Sequence, residues 1–278
     1  MRAPDEAEAT QLDLFAGSGL APAARQPASP PPARPAARPP PGDLDDAALI
    51  AALPRAGAAD GPALALEAGR RGLVTAISAL EELCRRFAGF GLERAVPEQV
   101  AALEALAMIG GGVAARAMAG IIAKGAVQGP ALTVAVAAAA SLRSELPAAV
   151  VLGLLHHPDP GIRADACRCV RLWPLAVPAL LDLRDDPEGE VSVAAACALG
   201  RLGRREVLPA LAGLLQRAPS PEVIDAVTPI ADEDCTVLLA RIARTMPDLA
   251  EAALDALEIV DHPRAAQLLV ALAEHRQM

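Results

Sequence analysis

The stretch Asp186–Arg217, DPEGEVSVAAACALGRLGRREVLPALAGLLQR, reads as two antiparallel helices joined by a tight turn. Asp186-Pro187 opens the first helix, and its apolar positions Val191, Ala195, Leu199 and Leu202 fall at helical spacing. Gly203 loosens the end of that helix, and Val207–Leu215 supplies a second apolar helix. A lone pair cannot cover its own apolar faces. The pattern recurs on both sides, so like units must stack and bury one another, which predicts an all-α solenoid.

Working outward, VPAL, LPAL, TVLL and AQLL lay the second helices over one another and place Leu180, Leu211, Leu238 and Leu268 in register, at spacings of 31, 27 and 30 residues. Leu180, Leu199, Leu202, Leu211 and Leu238 are therefore expected in the core. Downstream lie Pro221–Ala231 with Asp234–Met246, and Asp248–Val260 with Arg264–His275. Upstream, a short helix from Leu44 to Ala52 precedes the pairs Pro62–Gly72 with Leu73–Phe90, Pro97–Ile109 with Val113–Val127, Pro130–Ser144 with Pro147–His156, and Pro160–Trp173 with Ala176–Leu183. The folded region is thus about seven helix pairs over residues 44–278. Asp159-Pro160, Asp186-Pro187, Ser220-Pro221 and Asp261-His262-Pro263 each put a side-chain acceptor before a helix start and a Pro where a missing N–H costs nothing.

Residues 186–215 of this pattern resemble the HEAT repeats of the short bacterial kind, also seen in phycobilin lyases. The resemblance is close over about 145–278 and looser over 44–144, where Gly110-Gly111-Gly112 and the run Ala137–Ala140 depart from it. It implies an α-solenoid whose surface binds other proteins. An enzyme accessory of the lyase type is the alternative that the same resemblance carries, and fold alone does not choose between them.

Composition narrows the function further. The 278 residues include three Phe, one Trp and no Tyr, and the formal charge is −9. Few rings are available to stack on bases, and the net charge repels a phosphate backbone, so direct nucleic-acid binding is not expected. No apolar run reaches the ~20 residues of a bilayer-spanning helix, and MRAPDEAEAT lacks the basic-then-apolar order of a signal peptide. A cytoplasmic protein without membrane contact is expected. Cys84, Cys167, Cys169, Cys197 and Cys235 sit in apolar helical segments without paired zinc spacing, and read as reduced core thiols. Cys167 and Cys197 take matching places when Arg171-Leu172 is laid over Arg201-Leu202.

Residues 1–43 form a separate tail. Nine of the positions between Ala21 and Pro41 are Pro, most others are Ala or Arg, and no apolar face repeats, so this Pro/Ala/Arg-rich segment is expected to be disordered or polyproline-like. Ahead of it stands QLDLFAGSG, residues 11–19. Gln11-Leu12-Asp13-Leu14-Phe15 resembles the pentapeptide by which bacterial polymerases and repair factors bind the DNA sliding clamp. That resemblance implies that Gln11 hydrogen-bonds at the rim of the clamp pocket, that Leu12 packs beside it, and that Leu14 and Phe15 fill the apolar subsite while Asp13 faces solvent. The same residues also read as a chance apolar cluster. LDLFAGSG resembles as well the first motif of Rossmann-like methyltransferases, but a Pro/Arg/Ala tract follows it where a helix is required.

No catalytic, cofactor-binding or metal-binding residue is assigned. His156-His157-Pro158-Asp159 reads as a solvated turn rather than a metal site, and Asp232-Glu233-Asp234 as acids supporting a helix start near Cys235. Arg163, Arg168, Arg171, Arg201, Arg204 and Arg205 suggest either a basic ridge or an ion-paired face. HEAT-like alkylpurine glycosylases use such ridges on DNA, but their pattern also needs aromatic residues and a carboxylate, and Trp173 reads as a packing residue.

Overall fold

The computed structural model describes residues 39–171 and 173–276. Its described residues form fifteen α-helices, with short 3-10 turns and no strand. They are α1 (Asp46–Ala52), α2 (Gly61–Arg70), α3 (Ile77–Arg86), α4 (Pro97–Ile109), α5 (Gly111–Ala123), α6 (Pro130–Ser141), α7 (Ala148–Leu155), α8 (Pro160–Cys169), α9 (Val177–Leu183), α10 (Gly189–Arg201), α11 (Leu208–Arg217), α12 (Pro221–Val227), α13 (Glu233–Thr245), α14 (Pro247–Ile259) and α15 (Pro263–Arg276).

From α2 onward each even-numbered helix packs on the next even one, through α14. Odd-numbered helices form a second layer, with α3 on α5, α7 on α9, α11 on α13 and α13 on α15. Between the layers each odd helix from α3 to α13 leans on the even helix that follows it. The result is the expected all-α solenoid, and its core is one continuous cluster running from Leu49 to Ala265. Alanine fills the even layer: Ala101, Ala102 and Ala105 on α4, Ala135 and Ala139 on α6, and Ala194, Ala195 and Ala198 on α10 are buried. Small side chains let these helix axes approach closely, and Ala138 and Ala139 of the run Ala137–Ala140 are buried in this layer.

Of the starts read from sequence, Asp159-Pro160 and Ser220-Pro221 hold with both the Pro and the side-chain cap. Pro97, Pro130, Pro160, Pro221, Pro247 and Pro263 each begin a helix. Asp159 accepts from the N–H groups of Gly161 and Ile162 at 2.8 and 3.3 Å, Ser220 from Val223 at 3.3 Å, and Asp232 from Cys235 at 2.9 Å. One start is later than expected. Asp186 spends its carboxylate on Arg163 and on the N–H of Glu188, an Asx-type turn that delays α10 to Gly189.

The core differs from expectation at two leucines. Leu180, Leu199 and Leu211 are buried, whereas Leu202 and Leu238 are only partly buried. Leu202 is the residue past the end of α10, where the helical stripe has stopped. On α13 the buried stripe runs Cys235, Leu239, Ile242, which leaves Leu238 at its edge. The repeat register therefore continues through Leu239, one residue beyond the alignment made on Leu238.

The Gly110-Gly111-Gly112 departure is a junction. Gly110 and Gly111 take φ of 67° and 74°, a left-handed conformation that lets α5 begin two residues after α4 ends. At the amino end, Arg71 gathers the residues just ahead of α1. It donates to the carbonyls of Pro41, Gly42 and Leu44 at 3.2, 3.0 and 2.8 Å, and pairs with Asp46 and Glu67. The residues just ahead of Leu44 are thus held against α2.

Candidate functional site

Gln11, Leu12, Leu14 and Phe15 lie outside the described residues, as does the LDLFAGSG segment. Within the described residues the best-formed concavity is a cleft of about 660 Å³ where the ends of α6, α8 and α10 meet the start of α12.

Its floor exists because α8 stops early. The sequence predicts helix through Trp173, but α8 ends at Cys169, and Val170 and Trp173 each take extended backbone. Pro174 accounts for the end of this segment: its ring disfavours helical backbone at the preceding residue, and Trp173 takes φ −108° and ψ 104°. Trp173 is half-buried against the core and lines the cleft. It is a packing residue, as expected, with one side left on the cleft.

The rim is made by helix ends. After α6, Arg143 has φ 52°, the one non-glycine residue with positive φ among the described residues. Its N–H bonds the Ala140 carbonyl at 3.1 Å, and the next N–H, of Ser144, bonds Ala139 at 2.8 Å. This paired closure at a helix end favours glycine at the left-handed position. Gly72 after α2, Gly125 after α5 and Gly203 after α10 each make the same two bonds with φ of 64°, 62° and 76°. Arg143 fills that slot with a side chain, and the guanidinium of Arg171 donates to its carbonyl.

Of the predicted ridge, Arg163, Arg168 and Arg204 are ion-paired, Arg171 and Arg201 lie on the cleft, and Arg205 is exposed and off the cleft. Arg163 pairs with Asp186 at 3.0 Å and Arg204 with Glu206 at 2.7 Å. Arg168 bonds Asp165 at 2.8 Å, Glu190 at 3.1 Å and Glu222 at 3.4 Å, so one guanidinium ties α8, α10 and α12. Burial pushes the Asp165 carboxyl up despite that contact, and the hydrogen bond from Arg163 holds the Asp186 carboxyl below its usual range. These are ion-paired positions. Arg143, Arg171 and Arg201, all on the cleft, make no ion pair among the described residues. Arg201 donates to the Cys167 carbonyl at 3.2 Å. Two buried polar atoms on the cleft's lining residues, Ser144 Oγ and Glu222 Oε1, have no hydrogen-bond partner.

The other sequence candidates have structural duties. His157 Nδ1 accepts from the Asp159 N–H at 3.1 Å within the turn before α8. Asp232 caps α13, and the N–H of Cys235 is the main reason its carboxyl lies below the usual range. All five cysteines are free and buried, and burial pushes each thiol up to about 12. Among the described residues no three His, Cys, Asp or Glu side chains are placed to hold a metal ion, and no helix is long and apolar enough to cross a membrane. The six arginines do not form one ridge, and the sequence reading missed Arg143, whose signal was available: an arginine where neighbouring helix ends carry glycine.

No curated protein matches the chain. Residues 147–231, which run from the residue before α7 to just past α12 and so contain most of the cleft, match the family of HEAT repeats.

Proposed function

We propose that the helical body is a non-enzymatic cytoplasmic scaffold that binds protein partners, and that Gln11-Leu12-Asp13-Leu14-Phe15 tethers it to the bacterial DNA sliding clamp. The match of residues 147–231 to HEAT repeats carries the first part, because such repeats generally mediate protein–protein interaction. The five-residue resemblance supports the second. A short extended segment brings a few apolar anchors to a preformed pocket at modest ordering cost, and this gives weak to moderate affinity.

Calorimetry of a peptide spanning residues 9–17 against a bacterial sliding clamp tests the tether. Saturable binding that is lost on Leu14→Ala with Phe15→Ala and retained on Asp13→Ser supports it. No heat and no competition with a known clamp ligand at high micromolar concentration removes it. For the body, affinity capture compares the intact chain with one beginning at Pro39, which keeps the Pro41 and Gly42 carbonyls that Arg71 uses. Partners that stay with the shorter chain belong to the repeats. Bilin-carrying proteins among them would favour the lyase-accessory alternative.

A further inference from the structure

We infer that the cleft between the ends of α6, α8 and α10 is a peptide-binding site for an acidic segment with an apolar side chain. Arg143, Arg171 and Arg201 would take its carboxylates and Trp173 its apolar group. This rests on the scaffold reading and names the partner chemistry of one surface.

The first support is the slot filled by Arg143. Three equivalent helix ends use glycine, since left-handed backbone is strained for a residue with a Cβ. At the end of α6 that strain is kept, and what it adds is a guanidinium on the cleft where Gly72, Gly125 and Gly203 place nothing. Strain retained at a concave surface points to use.

Charge is the second support. In a chain of formal charge −9, the arginines with no carboxylate partner among the described residues include three gathered on this one cleft. Arg171 and Arg201 each give one N–H to a backbone carbonyl, so most of the five donors of each fork are left over. Bidentate carboxylate recognition is what such forks do best. The unpartnered hydroxyl of Ser144, a residue 1% exposed beside Arg143, is a further polar group on the lining without a bond of its own.

The cleft favours peptide over nucleic acid. Glu145, Glu222 and Asp225 also line it, and an array of phosphates would meet them, whereas a peptide sets single carboxylates against single arginines. A volume of about 660 Å³ is within the range of sites that enclose a small ligand or a short segment.

Trp173 is the single tryptophan of the chain, so its emission reports on the cleft directly. The probe is acetyl-Glu-Glu-Leu-Phe-Glu-Glu-amide, which contains no tryptophan, titrated into the full chain at low ionic strength. The expected result is a saturable emission change that is absent with the all-Gln counterpart. Arg143→Gly and Arg171→Gln should each weaken binding roughly tenfold, as loss of a charge-assisted hydrogen bond does. Arg143 donates no side-chain hydrogen bond among the described residues, so Arg143→Gly should melt no lower than the parent while binding worse. Several results overturn the inference: no response to the acidic peptide, an equal response to the Gln peptide, a stronger one to an oligothymidylate, unchanged binding by Arg143→Gly, or a lower melting temperature for that variant. If the repeats capture a protein whose recovery ignores both substitutions, the scaffold stands and the cleft falls. If nothing is captured while the peptide still binds, the cleft stands and the broader reading falls.

Discussion

Between α2 and α6 a buried amide and close glycine approaches join the helices, and between α8 and α12 arginines reach from one helix to acids or carbonyls of its neighbours. In the first region Gln99, fully buried on α4, donates to the carbonyls of Cys84 and Ala126, both at 3.0 Å, and so links α3 to the turn after α5. Gly69 lets α2 lie so close to α4 that an added Cβ would stand 2.7 Å from Ala105 Cα. Gly129 does the same for the loop after α3. In the second region the means are an arginine near one helix end and an acid or carbonyl on a neighbouring element: Arg163 to Asp186, Arg168 to Glu190 and Glu222, Arg201 to Cys167. The family match, over residues 147–231, spans the second region.

The comparison breaks most easily at Gly129. Its φ is 55°, and a Cβ there would lie 2.3 Å from the Gly91 carbonyl oxygen and 2.4 Å from that of Leu92. Gly129→Ala adds left-handed strain of roughly 1–2 kcal/mol to overpacking of about 1–3 kcal/mol against backbone that cannot rotate away. A loss of about 3 kcal/mol or more is expected in denaturant unfolding. A loss under about 1 kcal/mol would mean that residues 89–92 are not seated on Gly129, and the close-approach account of this region would fail.

In the repeat region the corresponding test is Leu199→Ala. Leu199 is completely buried in α10, which packs against α8, α9, α11 and α12. Truncation removes transfer energy and leaves a cavity, at a cost of ~2–5 kcal/mol. A change below about half a kilocalorie would place α10 in another register.

Helix existence was legible throughout because apolar periodicity, Pro at the first turn and Gly at the last are local signals, and each pair repeats them. Leu199 and Leu211 follow from periodicity alone. What was not legible depended on neighbours in space. Asp186 looked like a helix start, but Arg163, 23 residues earlier, takes its carboxylate. The early end of α8 carries no spacing signal, and the extended backbone of Trp173 follows from Pro174, which the following unit lacks. The cleft follows from that ending together with Arg143, and residues 143, 171 and 201, spaced by 28 and 30, meet there at the period of the repeats.

The Arg163–Asp186 pair sharpens the comparison through pH. Both side chains are mostly shielded from solvent, and the hydrogen bond holds the Asp186 carboxyl below its ordinary value near 3.9. A depressed carboxyl stabilises the fold above its unfolded value, and that contribution is lost as pH falls through the folded one. Asp186→Asn should therefore cost on the order of 1 kcal/mol at neutral pH, and the gap between parent and variant should close below about pH 4. A gap that is constant down to pH 3 would assign the effect to the turn at Glu188 rather than to charge.

The last test concerns the register of α13. Aligning TVLL with LPAL by leucine content puts Leu238 over Leu211, whereas aligning by position puts Leu239 there, and the two residues point about 100° apart on the helix. Leu239 is fully buried in the stripe with Cys235 and Ile242, while Leu238 packs only at its edge. Leu239→Ala should then cost ~2–5 kcal/mol, and Leu238→Ala only about 1 kcal/mol, since a partly exposed leucine surrenders part of its transfer energy and leaves no closed cavity. Paired thermal melts of the two variants decide between the alignments. If Leu238→Ala is the more damaging, α13 is rotated by one residue.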